Sequence, residues 1–267
     1  MKRVGIIVLA VIALAASTGA QWLNYPSPDA PRLKSGKVNL SARAPKGTDG
    51  KPDFSGIWRA EPDPLGKPEN VENEIFPRYF RNIAKDLKPE DVVMRPAADA
   101  LLEERLRDQG KHSPEARCVP VGVPALNTFP FPFKIVQMPR LTIMLYEVGV
   151  TYRQIFMDGR PLPNDLNPSF NGYSVGRWEG DTLVVESVGF REAGWLDRMG
   201  HPHSERLHLT ERFKRIDFGH LSIAMTIDDP NTYEKPLTYT QPAILLPDTD
   251  LLEYQCADNE KDLHHFK

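Results

Sequence analysis

From Lys134 onward the apolar residues recur at every second position, in short runs: KIVQM (134–138), LTIMLYEV (141–148), TYRQIFM (151–157), GYSVGRWE (172–179), TLVVESVGF (182–190), ERLHLTERFKR (205–215), HLSIAMTI (220–227), PLTYTQ (236–241) and LLEYQC (251–256). This alternation turns one set of side chains to a core and the other to solvent, the signature of half-buried strands. Met138-Pro139-Arg140, Asp158-Gly159-Arg160, Glu179-Gly180-Asp181 and Asp217-Phe218-Gly219 supply turn chemistry between them. The links are too short for repeated crossover helices, so the sheet is expected to be antiparallel. With DFSGIW (53–58) added, about nine or ten strands result, more than an open sheet holds without curling. The chain is therefore expected to be mainly β: an antiparallel β-barrel or strongly curved sheet, filled with side chains or holding one small ligand at its mouth.

One stretch follows a different period. FPRYFRNIAKDL (76–87) and RPAADALLEERLRDQG (95–110) space their apolar residues at three and four, with Pro96 where a first helical turn tolerates it and Gly110 after the last. They are expected to form a helical hairpin inserted at about 76–110. Ahead of it, Gly56 and Trp58 in DFSGIWRAE resemble the Gly-x-Trp opening of lipocalin-like barrels, in which the tryptophan plugs the closed end.

The ends of the chain read differently again. MKRVGIIVLAVIALAASTGA (1–20) places Lys2 and Arg3 before an apolar run that is shorter than the ~20 residues needed to span a bilayer. It reads as a signal peptide, with the mature protein secreted or periplasmic in a bacterium and left without a stable membrane anchor after cleavage. Residues 21–52 are rich in Pro, Gly, Ser and Lys and read as an extended leader, and 53–267 as a single barrel domain. The chain has 267 residues, a net charge of -3 and well-mixed charges, with no basic stripe for nucleic acid. It has two cysteines, Cys118 and Cys256, an even count that in an exported protein favours a disulfide; two buried thiols are the alternative.

The chemistry concentrates in Gly189–Arg215. If the chain is extended from His201, then His201, His203, Glu205, Leu207, Leu209, Glu211 and Phe213 share one face, so imidazoles and carboxylates fall among core positions. Three readings stay open for this face. His201, His203 and Glu205 hold a divalent metal ion (zinc, iron or manganese); or His203 works as an acid–base group with His201 and Glu205 orienting it and Glu211 deeper in the barrel; or rim histidines are satisfied by neighbouring carboxylates. The His-x-His spacing resembles a cupin, but the positions where a cupin glutamate belongs are Leu207 and His208, and Pro202 interrupts the strand. Tyr173 and Arg177, sharing a face with Val175, are expected to point inward toward a substrate, joined by Arg153 and by Trp195 and Asp197 in the loop before the histidines.

The run GYSVGRWEGDTLVVES, with GHPHSE and TERF after it, resembles a group of uncharacterised exported bacterial proteins over roughly residues 50–260. That resemblance implies one exported domain and no particular reaction. The residues themselves point to a small-molecule substrate or ligand. Lyase, isomerase or hydratase chemistry on it needs the least equipment, and metal-assisted hydrolysis is also open. A lipocalin-like carrier of an apolar ligand or haem, and a structural role with a filled barrel, are the competing readings.

Overall fold

A computed structural model describes residues 26–61, 82–84, 87–108 and 111–254. Nine strands close into one barrel in sequence order: β1 (Gly56–Ala60), β2 (Phe133–Met138), β3 (Leu141–Tyr146), β4 (Thr151–Phe156), β5 (Tyr173–Glu179), β6 (Thr182–Val188), β7 (His208–Arg215), β8 (His220–Asp228) and β9 (Leu237–Leu245). The expected lipocalin-like β-barrel is thus present. Its strands are not all antiparallel, because β4 and β5 run parallel and pair only at Ile155↔Ser174 and Phe156↔Val175. The reason is parity. Around a closed ring of nine strands direction cannot alternate at every step, so one neighbouring pair must run the same way. Asp158-Gly159-Arg160 accordingly begins no hairpin: residues 157–172 carry the chain back along the barrel, the long connection that a parallel pair needs.

This topology gives the barrel two unlike ends. The tight turns after β2, β5 and β7 gather at one end. Between Glu179 and Thr182, Gly180 takes φ +62, which a two-residue hairpin requires and glycine adopts freely. Residues 26–53 lie across this closed end: Phe218 and Gly219 donate to the carbonyls of Ala42 and Leu40, and Asp248 pairs with Arg32 at 2.7 Å. The links β1–β2, β3–β4, β6–β7 and β8–β9 lie at the opposite end, the rim.

The insertion helix α1 (Pro96–Arg107) belongs to the rim. Only Leu102 on it is buried. Its Arg105 lies over the Trp195 ring at 4.8 Å and donates to Gly200 O at 2.7 Å, so α1 braces the β6–β7 loop. The first helix of the expected hairpin lies outside the described residues apart from 82–84 and 87, as do the signal segment and Cys256. Among the described residues no helix is long and apolar enough to cross a membrane. Residues 251–254, expected to begin a strand, lie in none.

Two inward faces differ from the expected alternation. On β5 it is Ser174, not Tyr173 or Val175, that is fully buried. Arg177 therefore stands outside the barrel, paired with Glu179 at 3.1 Å and with Glu186, while Trp178 stacks on core Phe54 at 5.8 Å. The cause lies on the neighbouring strand. Arg153 points inward from β4 and needs hydroxyls opposite it, so at this level of β5 Ser174 is inside and Tyr173 and Val175 are outside. On β7 the strand begins at His208 and not Glu205, since Pro202 cannot supply a ladder N–H and the turn at Ser204–Leu207 ends the extended run.

Candidate functional site

The residues singled out from sequence separate into two clusters. The first is inside the barrel. Arg153 and Glu211 form an ion pair with side chains 1% and 0% exposed. Glu211 Oε1 also accepts from Asn127 Nδ2 at 2.6 Å, and Tyr146 donates to Asn127 Oδ1 at 2.7 Å. Arg153 donates from Nε to Ser174 (2.9 Å) and from Nη2 to Ser187 (2.8 Å), and the two serine hydroxyls meet at 2.8 Å. Arg153 Nη1 is buried without a hydrogen-bond partner. Burial and the neighbouring Glu211 carboxylate raise the Tyr146 phenol far above its usual range, although the Arg153 charge pulls the other way. Asn127, Tyr146, Ser174 and Ser187 were not singled out from the sequence. The signal that could have found them is the break in alternation on β5, where an apolar-in pattern would face a buried guanidinium.

The second cluster is in the rim loop between β6 and β7. Asp197 is fully buried and receives five donors: the backbone N–H groups of Ile83, Met199, Gly200 and His201, and the His201 ring through Nδ1 at 2.7 Å. Burial alone would raise its pKa, but the His201 charge and hydrogen bonds outweigh burial and hold the carboxylate below its usual value. An ionised Asp197 can only accept, so His201 carries a proton on Nδ1 and, when neutral, presents a lone pair on Nε2. This is the orientation a carboxylate imposes on an acid–base imidazole.

His203 is buried beside it in sequence but held differently. Its Nδ1 faces Ser204 O at 3.0 Å, and Phe190 packs edge-on at 6.1 Å. Gly194 lies against its Nε2: a Cβ there would be 2.9 Å from that nitrogen. Burial lowers the His203 pKa, partly offset by the Ser204 carbonyl. Asp229 fixes the next turn by accepting from Ser204 N (2.6 Å) and Ser204 Oγ (2.7 Å), and Tyr233 donates to Pro202 O at 3.0 Å.

Those shifts set the acid response. His203 has a lowered folded pKa, so its contribution is complete above the unfolded imidazole value of about 6.5 and is lost as pH falls below it. Asp197 has a lowered folded pKa, so its contribution is present above the unfolded carboxylate value and is lost only as pH falls through the folded one. Urea midpoints are expected to drop between pH 7 and 5 in the parent, and His203→Gln to flatten that drop. An unchanged slope in the variant would show that His203 does not drive it.

The remaining predicted residues fall elsewhere. Glu205 is exposed in the turn after Ser204. The expected metal set of His201, His203 and Glu205 is therefore not assembled: Glu205 is exposed in the turn while both imidazoles are buried, and no group of three possible ligands gathers among the described residues. Tyr173 lies outside the barrel, stacked on Phe156 at 5.1 Å and hydrogen-bonded by Arg160 at 3.1 Å. Trp195 is buried under Arg105. Cys118 is not a free thiol, while Cys256 lies outside the described residues. Compared with protein-family models, with curated proteins and with solved structures, the chain matches none.

Proposed function

We propose that the chain is an exported acid–base enzyme acting on a small organic molecule at the rim of its barrel, with the Asp197–His201 pair moving the proton. The observation that carries this reading is the saturation of Asp197. Four of its donors are backbone N–H groups that fix the loop, and the fifth fixes an imidazole so that Nε2 is left as its basic atom. Lyase, isomerase and hydratase steps require a proton taken and returned and no further cofactor, which suits this equipment. A carrier with its ligand inside the barrel is less well supported, because Trp58, Phe133, Met144, Arg153 and Glu211 fill that space. The exported state and a Cys118–Cys256 bridge belong to the same proposal.

Diethyl pyrocarbonate, which acylates neutral imidazole at an accessible nitrogen, gives the test. Peptide mapping of the treated native protein is expected to find His201 modified, and the same maps run without reductant to recover a fragment linking Cys118 to Cys256. If His201 resists until the chain is unfolded, Nε2 is walled in and the pair is a structural strut. Turnover of any epoxide, β-hydroxy acid or ester in a substrate panel should vanish in His201→Ala; activity that survives there removes His201 from the mechanism.

A further inference from the structure

The parallel seam leaves an opening on the outside of the barrel. Because β4 and β5 pair at only two positions, Thr151–Gln154 diverges from Asn171–Tyr173 toward the rim, and Pro120 flanks the gap. The result is a cleft of about 410 Å³. Strand alternation puts Tyr152 and Gln154 on one wall, exposed, with the Tyr152 side at 61%. Phe170, Asn171 and Tyr173 form the other.

The polar groups of this cleft are unevenly satisfied. Asn171 Nδ2 donates to Thr151 Oγ1 at 2.9 Å and to Tyr152 O at 3.0 Å, and the second contact fixes which end of the amide is nitrogen. Asn171 Oδ1 is an acceptor without a partner but is closed off from the cleft, so Asn171 braces the wall and the amide open to a ligand is that of Gln154. The charges nearby are already answered: the Arg153 side chain is turned inward to Glu211, and Arg160 lies over Phe156 at 3.9 Å with Asp158 as its partner. Among the described residues no Asp or Glu lines the cleft to attract a cation. An exposed aromatic face, amide groups and no free charge together select a neutral ligand with one apolar face and several hydroxyls.

We propose that this cleft binds a neutral mono- or disaccharide, its C–H face against the Tyr152 ring and its hydroxyls toward the exposed Gln154 amide. This site is separate from the Asp197–His201 pair and does not depend on the function proposed for it. Ser169, on the cleft wall, is bridged to Phe190 at the start of the histidine loop, so a sugar held here sits beside that loop.

Maltose, cellobiose and N,N′-diacetylchitobiose are the probes, each titrated into the whole mature protein while amide chemical shifts are followed. At least one is expected to bind at millimolar strength and to move the signals of Tyr152, Gln154 and Asn171. Tyr152→Ala should weaken it by about tenfold, the loss of one aromatic contact, and Tyr152→Phe should keep most of the affinity. Tyr152 is largely exposed, so both variants are expected to melt with the parent. No shift with any of the three sugars at about twenty times that concentration would overturn the proposal. So would binding that Tyr152→Ala leaves intact, or a response to p-nitrophenol alone, which would mark a site for flat apolar rings.

Discussion

Glu211→Ala is expected to cost about 3 to 5 kcal/mol of stability, the usual penalty for removing one partner of a buried ion pair. At roughly 2 to 4 °C per kcal/mol for a chain of this size, the melting temperature should fall by about 10 °C. The reason is what remains behind. Arg153 cannot discharge itself, since a guanidinium stays protonated in proteins and its side chain is 1% exposed. It would keep Ser174 and Ser187, but its Nη1 has no partner even in the parent. Asn127 Nδ2 would lose its acceptor at the same time.

The double variant Arg153→Met/Glu211→Leu separates the cost of a stranded charge from the worth of the pair. It removes both charges and leaves Ser174 and Ser187 bonded to each other. Only the Asn127 amide and the Tyr146 surroundings are then worse off, a loss of about 1 to 3 kcal/mol. Urea unfolding of the parent, Arg153→Met, Glu211→Leu and the double variant should give a coupling of more than about 1 kcal/mol in favour of the double variant. If Glu211→Ala costs less than about 1 kcal/mol, or if the two single costs simply add, the network is not the buried unit described above.

The same network explains which parts of the fold were legible in the sequence. Alternation marked the strands well because most of them turn mainly apolar residues inward, as on β8, where Leu221, Ile223, Met225 and Ile227 are all buried. β5 misled because its inner residue is a serine answering an arginine from another strand, a pairing set by closure rather than by anything local. The parallel step between β4 and β5 was also invisible, since it follows from the strand count being odd, and turn chemistry does not report that count. The shared parity drawn from His201 to Glu211 failed for a third reason. Those residues span a loop and a strand, and the loop is shaped by Asp197, Asp229, Tyr233 and Arg105 from other parts of the chain. Asp197 and His201 were each noticed, but four residues apart in an irregular loop nothing in the sequence required them to touch.

Trp58→Ala should have an effect of comparable size at the closed end, about 3 to 5 kcal/mol, as for other large buried aromatics. Trp58 is fully buried, donates from Nε1 to Phe54 O at 2.9 Å, and carries Arg215 over its ring at 4.9 Å. The glycine of the Gly-x-Trp opening is explained by the same packing: Gly56 has φ +138, and a Cβ there would be 2.7 Å from Leu245 Cδ1. Arg215 ties the β7–β8 turn to the segment before β1 by donating to the carbonyls of Asp217, Phe218 and Asp53, and burial pulls its pKa down to about 10. Removing the indole therefore opens a cavity and also takes away the face on which a buried cation rests. Trp58→Phe keeps an aromatic face and loses the N–H, so it should cost less than the alanine variant, with part of its loss from the unpaired Phe54 carbonyl. In a cycle with Arg215→Met, Trp58→Ala should cost measurably less once the arginine is gone, because no cation is left over the cavity. Equal costs for Trp58→Ala in the two backgrounds would mean that Arg215 is held by the three carbonyls alone and that the ring beneath it contributes only volume.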